Sequence, residues 1–463
     1  MHETAFAFRP CRFSVSLLHR PNPTIKMAEQ PARPPAEDVD AIKGANATAH
    51  AGIDHVSHAV NGNATHIANG TATSNGTTAF TPPGPNPALF TNEKREIFMG
   101  TSPPLRPGPT DCVVRMRCNG ICGSDVHFWH TGRIGPLIVE SDHCLGHEGA
   151  GEVVWSGEKV THLKPGDRVA VEPGVPCGEC YQCSSGNYNL CADVAFSGVP
   201  PYPGSIRRWH VHPAAFLHKI PDSLSYSDGA LLEPLSVVFH GFERSPVRIG
   251  EGTVICGAGP IGMCALAVAK ASGACPIVVT DLDAGRLKIA QSFAPACVPF
   301  QIDPDKPAEE TAKAVITALE DAGGEQPRVV YECTGVQGSV VTACYMPRAA
   351  GEVMVIGVGK PIMNDLPFMH MSLAEVDLKF INRYHHSWPS AIRLLQHKVI
   401  DLQPLVTHRY KLEDADKALA ASADRNSGSS HSRALTANVI SAPLMMRTAT
   451  GGKKMLRNMR DNR

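Results

Sequence analysis

A short glycine-rich turn constrains the fold of this chain more than any other feature. Gly257, Gly259 and Gly262 follow a strand predicted at 253–256 and open a helix predicted at 261–272. Glycines at this spacing allow a tight turn and close backbone approach, and the helix N-terminus offers N–H groups to a pyrophosphate. The pattern is weak alone, because a Gly-rich turn also arises by chance, so the surrounding elements decide its meaning.

The segments after this turn alternate between strand and helix patterns. Buried strands are predicted at 277–280, 329–331, 353–356 and 378–381, and a helix-like segment at 388–396 leads back toward the first half of the chain. Strands that alternate with helices indicate a parallel, doubly wound α/β sheet.

Asp281 ends the second strand of this region, nineteen residues after Gly262. A carboxylate there can accept hydrogen bonds from both ribose hydroxyls of adenosine and would repel a 2′-phosphate. A solvent-facing aspartate at a strand end is the alternative. Together with the glycine turn, Asp281 favours NAD over NADP.

The chain before the turn carries β patterns instead. Cys112, Val114, Met116 and Cys118 are apolar at every second position, which predicts a half-buried strand, and another strand is predicted at 168–171. Short strands separated by Gly/Pro turns indicate a barrel-like β domain.

Four cysteines in this part form a compact C-x2-C-x2-C-x7-C pattern. Four thiolates this close in sequence can surround a tetrahedral ion, and soft sulfur ligands favour zinc in a closed, structural site. An iron–sulfur site is the alternative, although its last spacing is usually shorter. The four residues are Cys177, Cys180, Cys183 and Cys191.

A second set of metal-ligating residue types is more scattered. It combines a thiolate, an imidazole and carboxylates, which can leave one coordination position open for water or substrate. Each residue also has an ordinary structural alternative, and with 21 histidines in the chain closeness in sequence does not establish a site. The set consists of Cys122, His147, Glu148 and Glu233.

Composition argues against other classes of protein. Lys plus Arg number 43 against 44 Asp plus Glu, a net charge of −1, so neither a nucleic acid nor an anionic membrane is expected as a partner. The sequence has no apolar run of about eighteen residues that could span a membrane. Fifteen cysteines without a secretory signal indicate reduced thiols and metal ligands, so we expect a cytoplasmic protein.

The two ends of the chain differ from its middle. Residues 1–87 are predicted to be a disordered leader, because they are rich in Pro, Ala, Asn, Thr and Gly without apolar periodicity. The basic residues near its start suggest either a mitochondrial presequence or an upstream extension before Met27. Residues 429–463 are Ser-rich, then basic and Met-rich, and fit neither of the two predicted domains.

Several motifs occur in one order along residues 88–428. They are Cys122-Gly-Ser-Asp-Val-His-Phe-Trp, Gly132-Arg-Ile-Gly-Pro, Asp142-His-Cys-Leu-Gly-His-Glu, the four-cysteine pattern, Gly229-Ala-Leu-Leu-Glu-Pro-Leu-Ser and Cys256-Gly-Ala-Gly-Pro-Ile-Gly. Together they resemble the zinc-dependent medium-chain dehydrogenases, specifically the polyol (sorbitol/xylitol) branch.

The resemblance implies an architecture. It implies a GroES-like β-barrel catalytic domain at 88–240, a Rossmann doubly wound parallel sheet that binds the coenzyme at 241–387, and a return to the catalytic domain at 388–428. The family's catalytic domain closes with an alternating apolar strand, which the atypical tail at 429–463 replaces, so that strand is in doubt here. The family habit implies a homotetramer.

The resemblance also implies roles for single residues. A catalytic zinc would lie among Cys122, His147, Glu148 and Glu233, with the direct carboxylate ligand left open, and a structural zinc among the four cysteines. Ser124 and His127 would pass a proton outward, and Asp125 would orient the His147 ring. Phe128 and Arg383 would meet the substrate. The NAD contacts would be Gly257, Gly259, Pro260, Ile261, Gly262, Asp281, Arg286, Ile356 and Arg383.

These roles imply a reaction in which zinc acts as a Lewis acid on a secondary hydroxyl and hydride passes to the nicotinamide. Stretches at 128–140, 200–208 and 383–389 are most similar to branch members that act on L-arabinitol, so the leading hypothesis is its oxidation to a ketose. Xylitol or sorbitol oxidation and another zinc alcohol dehydrogenase are alternatives. An inactive protein that still binds zinc and NAD, with a disrupted C-terminus, is a third.

Overall fold

The structure, a computed structural model, describes residues 80–423 and 438–441. The predicted leader at 1–87 lies outside the described residues up to residue 79, and regular structure begins with the first strand. In chain order the first elements are β1 (Pro87–Thr91), β2 (Ile97–Thr101), β3 (Asp111–Asn119), α1 (Gly123–Thr131), β4 (Arg133–Ile134), β5 (Leu137–Ile138), β6 (His143–Cys144), β7 (Gly149–Ser156), β8 (Arg168–Val171), β9 (Gly174–Val175), α2 (Tyr181–Ser184), β10 (Ala195–Phe196), β11 (Trp209–Pro213), β12 (Leu217–Lys219), α3 (Tyr226–Ala230) and α4 (Leu232–Arg244). Short 3-10 helices occupy Tyr188–Leu190 and Ala214–Phe216.

Strand β3 is central in the antiparallel sheet of this first part of the chain. It pairs antiparallel with β7 and with β11, and β8 and β12 continue the sheet beyond β7. Cys112, Val114 and Met116 are at most 3% exposed, which confirms the predicted strand, although Val113 on the opposite face is buried as well. The strand predicted at 168–171 is also confirmed, as β8.

The second part alternates strictly between strands and helices. Its elements are β13 (Thr253–Cys256), α5 (Pro260–Ala271), β14 (Ile277–Asp281), α6 (Ala284–Phe293), β15 (Val298–Gln301), α7 (Ala308–Asp321), β16 (Val329–Glu332), α8 (Gln337–Cys344), β17 (Glu352–Val355), α9 (Phe368–Ala374) and β18 (Asp377–Phe380). All six strands are parallel, in the order β15–β14–β13–β16–β17–β18. The doubly wound sheet predicted from the sequence is therefore confirmed.

The strand order reverses between β13 and β16. A crevice opens at the carboxyl ends of the two strands on either side of such a reversal, and this is where doubly wound sheets bind ligands. The glycine turn at 257–262 follows β13, so it lies at this crevice. Apolar clusters cover both faces of the sheet, one with α4 and α5 and the other with α7 and α8.

The chain then returns to the first sheet. The remaining elements are α10 (Trp388–Gln396), β19 (His408–Lys411), α11 (Ala415–Ala423) and β20 (Asn438–Ser441), with short 3-10 helices at Gln403–Leu405 and Leu412–Asp414. Trp388, Ala391 and Leu395 of α10 pack in the same buried cluster as Leu235 and Val238 of α4. Since α4 extends to Arg244, the domain limit predicted at 240 falls inside a helix.

Strand β20 corrects the expectation for the C-terminal tail. It runs parallel to β19 and antiparallel to β3, with Ile440 opposite Asn119 and Ser441 opposite Cys118. The prediction that 429–463 fits neither domain is wrong for these four residues. Backbone pairing needs only an extended segment of suitable length, so a strand can form there despite a sequence unlike the family's usual one.

Candidate metal centre and coenzyme turn

Asp125 joins the two chain segments that carry the first candidate metal ligands. Cys122 immediately precedes α1, and its N–H donates to Asp125 Oδ2 at 3.0 Å. The other oxygen, Oδ1, accepts from the Gly146 N–H at 3.1 Å and lies 3.6 Å from His147 Nδ1. Asp125 is fully buried, so it holds the start of α1 against the turn before β7.

His147 and Glu148 lie at the end of that turn, and their side chains approach the side chain of Cys122. Ligand atoms of Cys122, His147 and Glu148 all lie within 4.8 Å of one another. Gly120 makes the approach possible, because a Cβ at this position would lie 1.8 Å from Glu148 Oε2. The three residues therefore form one cluster of possible metal ligands.

Glu233 lies at the edge of this cluster. It occupies the first turn of α4, is 6% exposed, and its Oε1 accepts a hydrogen bond from the Tyr384 hydroxyl at 3.0 Å. Glu233 is not part of the group whose donor atoms share 4.8 Å. Of the two carboxylates left open by the sequence, Glu148 therefore has an oxygen within 4.8 Å of donor atoms of both Cys122 and His147.

Burial of the cluster opposes negative charge on its thiol and carboxyl groups. Burial raises the pKa of the Cys122 thiol to about 12, and the charges of Asp125 and Glu233 add to the effect. Burial and the neighbouring Cys122 and Glu233 raise the pKa of Glu148 well above its usual range. Burial opposes a charge on His147, but nearby carboxylates raise its pKa overall. A divalent cation would reverse these shifts, and zinc suits this donor set.

The four-cysteine lobe brings all its sulfur atoms together. Donor atoms of Cys177, Cys180, Cys183 and Cys191 lie within 4.8 Å of one another. The Cys177–Cys183 sulfur distance is 3.8 Å and the Cys180–Cys183 distance 3.5 Å. Tetrahedral zinc bound at about 2.3 Å separates its sulfur ligands by roughly 3.8 Å. All the cysteines in the described part of the chain are free thiols, so the lobe fits a structural zinc.

The glycine turn has the geometry that its spacing predicted. Gly257 has φ +99°, and a Cβ there would meet the Thr334 side chain at 2.6 Å. A Cβ on Gly262 would lie 1.8 Å from the Gly257 carbonyl oxygen. Gly259 is the N-cap of α5 and Pro260 its first residue. The turn therefore presents backbone N–H groups at the carboxyl end of β13.

Asp281 also lies at this end of the sheet. Its Oδ2 accepts from the Ala258 N–H at 2.8 Å, and its Oδ1 accepts from the Asp283 N–H at 2.9 Å. Arg286 Nη1 is 3.8 Å from Oδ2. Ile356 follows β17 and is 7% exposed. The carboxylate thus borders the turn, where it can meet an adenosine ribose.

The metal cluster lies close to the helix that the glycine turn opens. Burial, and to a lesser degree the charges of Glu148 and Glu233, raise the pKa of Cys264, in the second turn of α5, to about 12. Leu232 and Leu235, on either side of Glu233 in α4, pack in the same buried cluster as Met263 and Cys264 of α5. The two candidate sites are therefore neighbours in space although the sequence separates them.

Only some of the predicted substrate and proton-transfer residues lie near His147. Ser124 Oγ lies 3.4 Å from His147 Nε2, and His127 is exposed one turn further along α1. The Arg383 guanidinium lies 4.0 Å from the centre of the Phe196 ring, which is itself 5.7 Å from the His147 ring. Phe128 is only 1% exposed and packs in an apolar cluster, so the structure does not bring it to an open surface.

Sequence reasoning missed Gly120, Phe196 and Tyr384. Gly120 matters only because Glu148 folds against it, and Tyr384 is 151 residues from its partner Glu233. The one available signal was that Tyr384 directly follows Arg383 in a stretch already singled out.

Comparisons with known families agree with the two-sheet architecture. Residues 108–222 match the Alcohol dehydrogenase GroES-like domain, and residues 260–397 match the Zinc-binding dehydrogenase family. The predicted GroES-like and Rossmann fold is confirmed. Among the described residues, no helix combines the length and apolar character needed to cross a bilayer.

Individual proteins are similar over most of the chain. L-arabinitol 4-dehydrogenase of Penicillium rubens is 46% identical over 384 residues, 80% of this chain and 97% of that protein. Sorbitol dehydrogenase of Mus musculus is 43% identical over 335 residues, 72% of this chain and 92% of that protein. A solved oxidoreductase/dehydrogenase of unknown specificity from Escherichia coli is 30% identical, with a TM-score of 0.70 over 78% of this chain and 100% of that one. The chain belongs to the zinc-dependent medium-chain dehydrogenases, in the branch that contains the L-arabinitol 4- and sorbitol dehydrogenases.

Proposed function

We propose that this protein oxidises a secondary hydroxyl of a polyol, L-arabinitol or a close relative, to the corresponding ketose with NAD. The observation that carries the proposal is the convergence of donor atoms from Cys122, His147 and Glu148 within 4.8 Å, near α4, which packs against the helix of the glycine turn. The activities of the relatives from Penicillium rubens and Mus musculus support the substrate class.

The zinc ion and the coenzyme would each be held by a defined set of residues. Cys122, His147 and Glu148 would bind the catalytic zinc, and the glycine turn with Asp281 would bind NAD. Zinc would supply a Lewis acid that favours loss of a hydroxyl proton near neutral pH, and NAD a hydride acceptor.

The chain's own residues would complete the reaction. We assign Ser124 to proton removal, because its Oγ lies 3.4 Å from His147 Nε2, and the exposed His127 would deliver the proton to solvent. Asp125 would keep the His147 ring in orientation. Arg383 would contact both the substrate and NAD, and Phe128 would pack beneath the polyol chain.

The test is the initial rate of NADH formation with L-arabinitol, xylitol and sorbitol, together with the zinc content of the same sample. We expect turnover with L-arabinitol to be fastest and zinc near two per chain. Faster oxidation of xylitol or sorbitol than of L-arabinitol would show that L-arabinitol is not the preferred substrate. A sample that binds two zinc ions and NAD yet oxidises no pentitol or hexitol would contradict the proposal and favour the inactive alternative.

We also propose that the chain forms a homotetramer. Large apolar side chains lie exposed along the edge of the parallel sheet, and a second copy of the chain would cover them. They are Val358, Ile362, Phe368, Met369, Leu373 and Phe380, each at least 57% exposed. Light scattering of the unmodified protein should give four times the mass of one chain. The Leu373→Lys variant should give a smaller mass. A monomer in the unmodified protein would contradict the assembly.

The proposed domain limits are close to 88–240, 241–387 and 388–428, with the first moved to the end of α4 at Arg244. The free thiols and the thiolate lobe also suit a reducing compartment, so we propose a cytoplasmic location. Limited proteolysis should cut between these domains, and cell fractionation should recover the protein in the cytosol.

A further inference from the structure

The four-cysteine lobe touches the chain where it returns from the parallel sheet. Between Cys183 and Cys191 the lobe forms the 3-10 helix Tyr188–Leu190. Asn189, 5% exposed, donates from Nδ2 to the Asn382 carbonyl at 2.7 Å, although the two residues are 193 apart in sequence. The lobe therefore holds the beginning of the segment 382–386.

The same 3-10 helix holds the other end of that segment. The Tyr188 hydroxyl accepts from the His386 N–H at 2.9 Å and donates to Glu172 Oε1 at 2.7 Å. Glu172 is 2% exposed and also contacts His218 Nε2 at 2.6 Å. Both ends of 382–386 are thus tied to the antiparallel-sheet part of the chain through residues next to the lobe cysteines.

The segment needs such support because its backbone is strained. Arg383 has φ +56° and His386 has φ +53°, the left-handed region that is unfavourable for residues other than glycine. Residues persist there only when their surroundings hold them. Arg383 directly follows Asn382, whose carbonyl accepts from Asn189, and the His386 N–H itself donates to Tyr188.

Two side chains between these contacts, Arg383 and Tyr384, lie near the candidate metal centre. The Tyr384 hydroxyl donates to Glu233 Oε1 at 3.0 Å, and Tyr384 is 3% exposed. The Arg383 guanidinium covers the Phe196 ring, which neighbours His147. A shift of the segment would therefore displace two side chains at the centre.

We propose that Asn189 is a positioning residue through which the four-cysteine lobe fixes Arg383 and Tyr384 at the Cys122 centre. Ligands Cys183 and Cys191 flank the 3-10 helix, so an ion in the lobe would hold Asn189 against Asn382. Occupancy of the lobe is then coupled to turnover of substrate. The kinetic part of this proposal rests on the proposed function.

The first test compares Asn189→Ala with Asn187→Ala in the zinc-loaded protein. Asn187 is a matched control, because it lies in the same lobe and its Nδ2 contacts only the Ser185 hydroxyl among the described residues. Loss of one buried hydrogen bond should lower kcat/KM for the polyol about tenfold in Asn189→Ala. Zinc content should stay unchanged, and Asn187→Ala should match the unmodified protein.

A double-mutant cycle separates positioning from general destabilisation. Because Asn189 acts partly through Tyr384, Asn189→Ala should cause a smaller loss in a Tyr384→Phe background than in the unmodified protein. Fully additive losses would overturn the proposal. So would a wild-type kcat/KM in Asn189→Ala, or in a variant that has lost the lobe zinc.

Hydrogen exchange supplies a readout that needs no activity. The backbone amides of 382–386 should exchange faster in Asn189→Ala and after selective removal of the lobe zinc, while those of 353–357 keep their rate. Unchanged exchange at 382–386 would overturn the coupling. If the unmodified protein oxidises no polyol, the proposed function fails, and this measurement still decides the coupling.

Discussion

The hydroxyl of Tyr384 lies 3.0 Å from Oε1 of Glu233, although 151 residues separate them. Glu233 lies in the first turn of α4, which leads out of the antiparallel-sheet part, and Tyr384 follows the last strand of the parallel sheet. The chain passes between the two sheets twice, through α4 and through the segment after β18. The contact between Glu233 and Tyr384 brings these two connecting segments together beside the candidate metal centre. A reaction that needs a metal ion from one part and a coenzyme from the other would occur where these segments meet.

Replacing Cys122 tests the cluster at its sulfur ligand. Cys122→Ser should lower zinc from two ions to one per chain and reduce turnover at least about a hundredfold, because the Lewis acid is lost. The melting temperature should change little. The exposed Cys275 offers a control, and Cys275→Ser should retain both ions. Retained turnover in Cys122→Ser would exclude its role as a ligand.

Replacing a lobe cysteine should act on stability as well. Cys180→Ser removes one of four sulfur atoms, so the lobe should lose its ion and the melting temperature should fall by several degrees, because metal binding contributes folding free energy. Its kcat/KM should fall about as far as in Asn189→Ala. Calorimetry and metal analysis check both effects, and an unchanged melting curve with one zinc lost would count against a structural lobe.

Asp281 should decide the choice of coenzyme. Asp281→Asn can still accept from the Ala258 N–H, but it loses the charge that would repel a 2′-phosphate, and Arg286 lies 3.8 Å away. The ratio of kcat/KM for NAD over NADP should fall at least about tenfold. Asp303→Asn, an exposed aspartate after the next strand, is the control. An unchanged ratio would show that Asp281 does not meet the ribose.

His212 should make stability depend on pH. Burial and the nearby Arg207 charge lower its pKa from 6.5 to about 4, and its Nε2 lies 2.8 Å from the Glu172 carbonyl. Because the folded protein favours the neutral ring, this stabilisation is complete above about pH 6.5 and declines as the pH falls toward about 4. The melting temperature should therefore fall over this range less steeply in His212→Gln than in the unmodified protein. The exposed His397→Gln serves as the control, and identical slopes in all three proteins would refute the prediction.

Much of the fold followed from apolar patterns. The strands at 168–171 and 253–256 and the helix at 388–396 have the predicted limits, because each has turn or capping residues at its ends. Strand β15 was not predicted, since its exposure alternates and Pro299 interrupts its pattern. Strand β18 begins one residue earlier than predicted, which is the usual uncertainty at a strand end.

The candidate site was predictable only as residue types. The four cysteines are close in sequence, so their spacing alone indicated a metal lobe. Cys122 and His147 come together only because Asp125 ties α1 to the turn at Gly146, and no local pattern encodes that contact. Nor could the sequence choose between Glu148 and Glu233, because the choice depends on the space left by Gly120.

Anomalous diffraction at the zinc absorption edge would locate the metal ions directly. We expect one peak about 2.3 Å from Cys122 Sγ and about 2.0 Å from a ring nitrogen of His147, and a second peak among the four lobe sulfur atoms. A crystal whose lobe carries zinc but whose Cys122 and His147 share no ion would contradict the proposed metal centre.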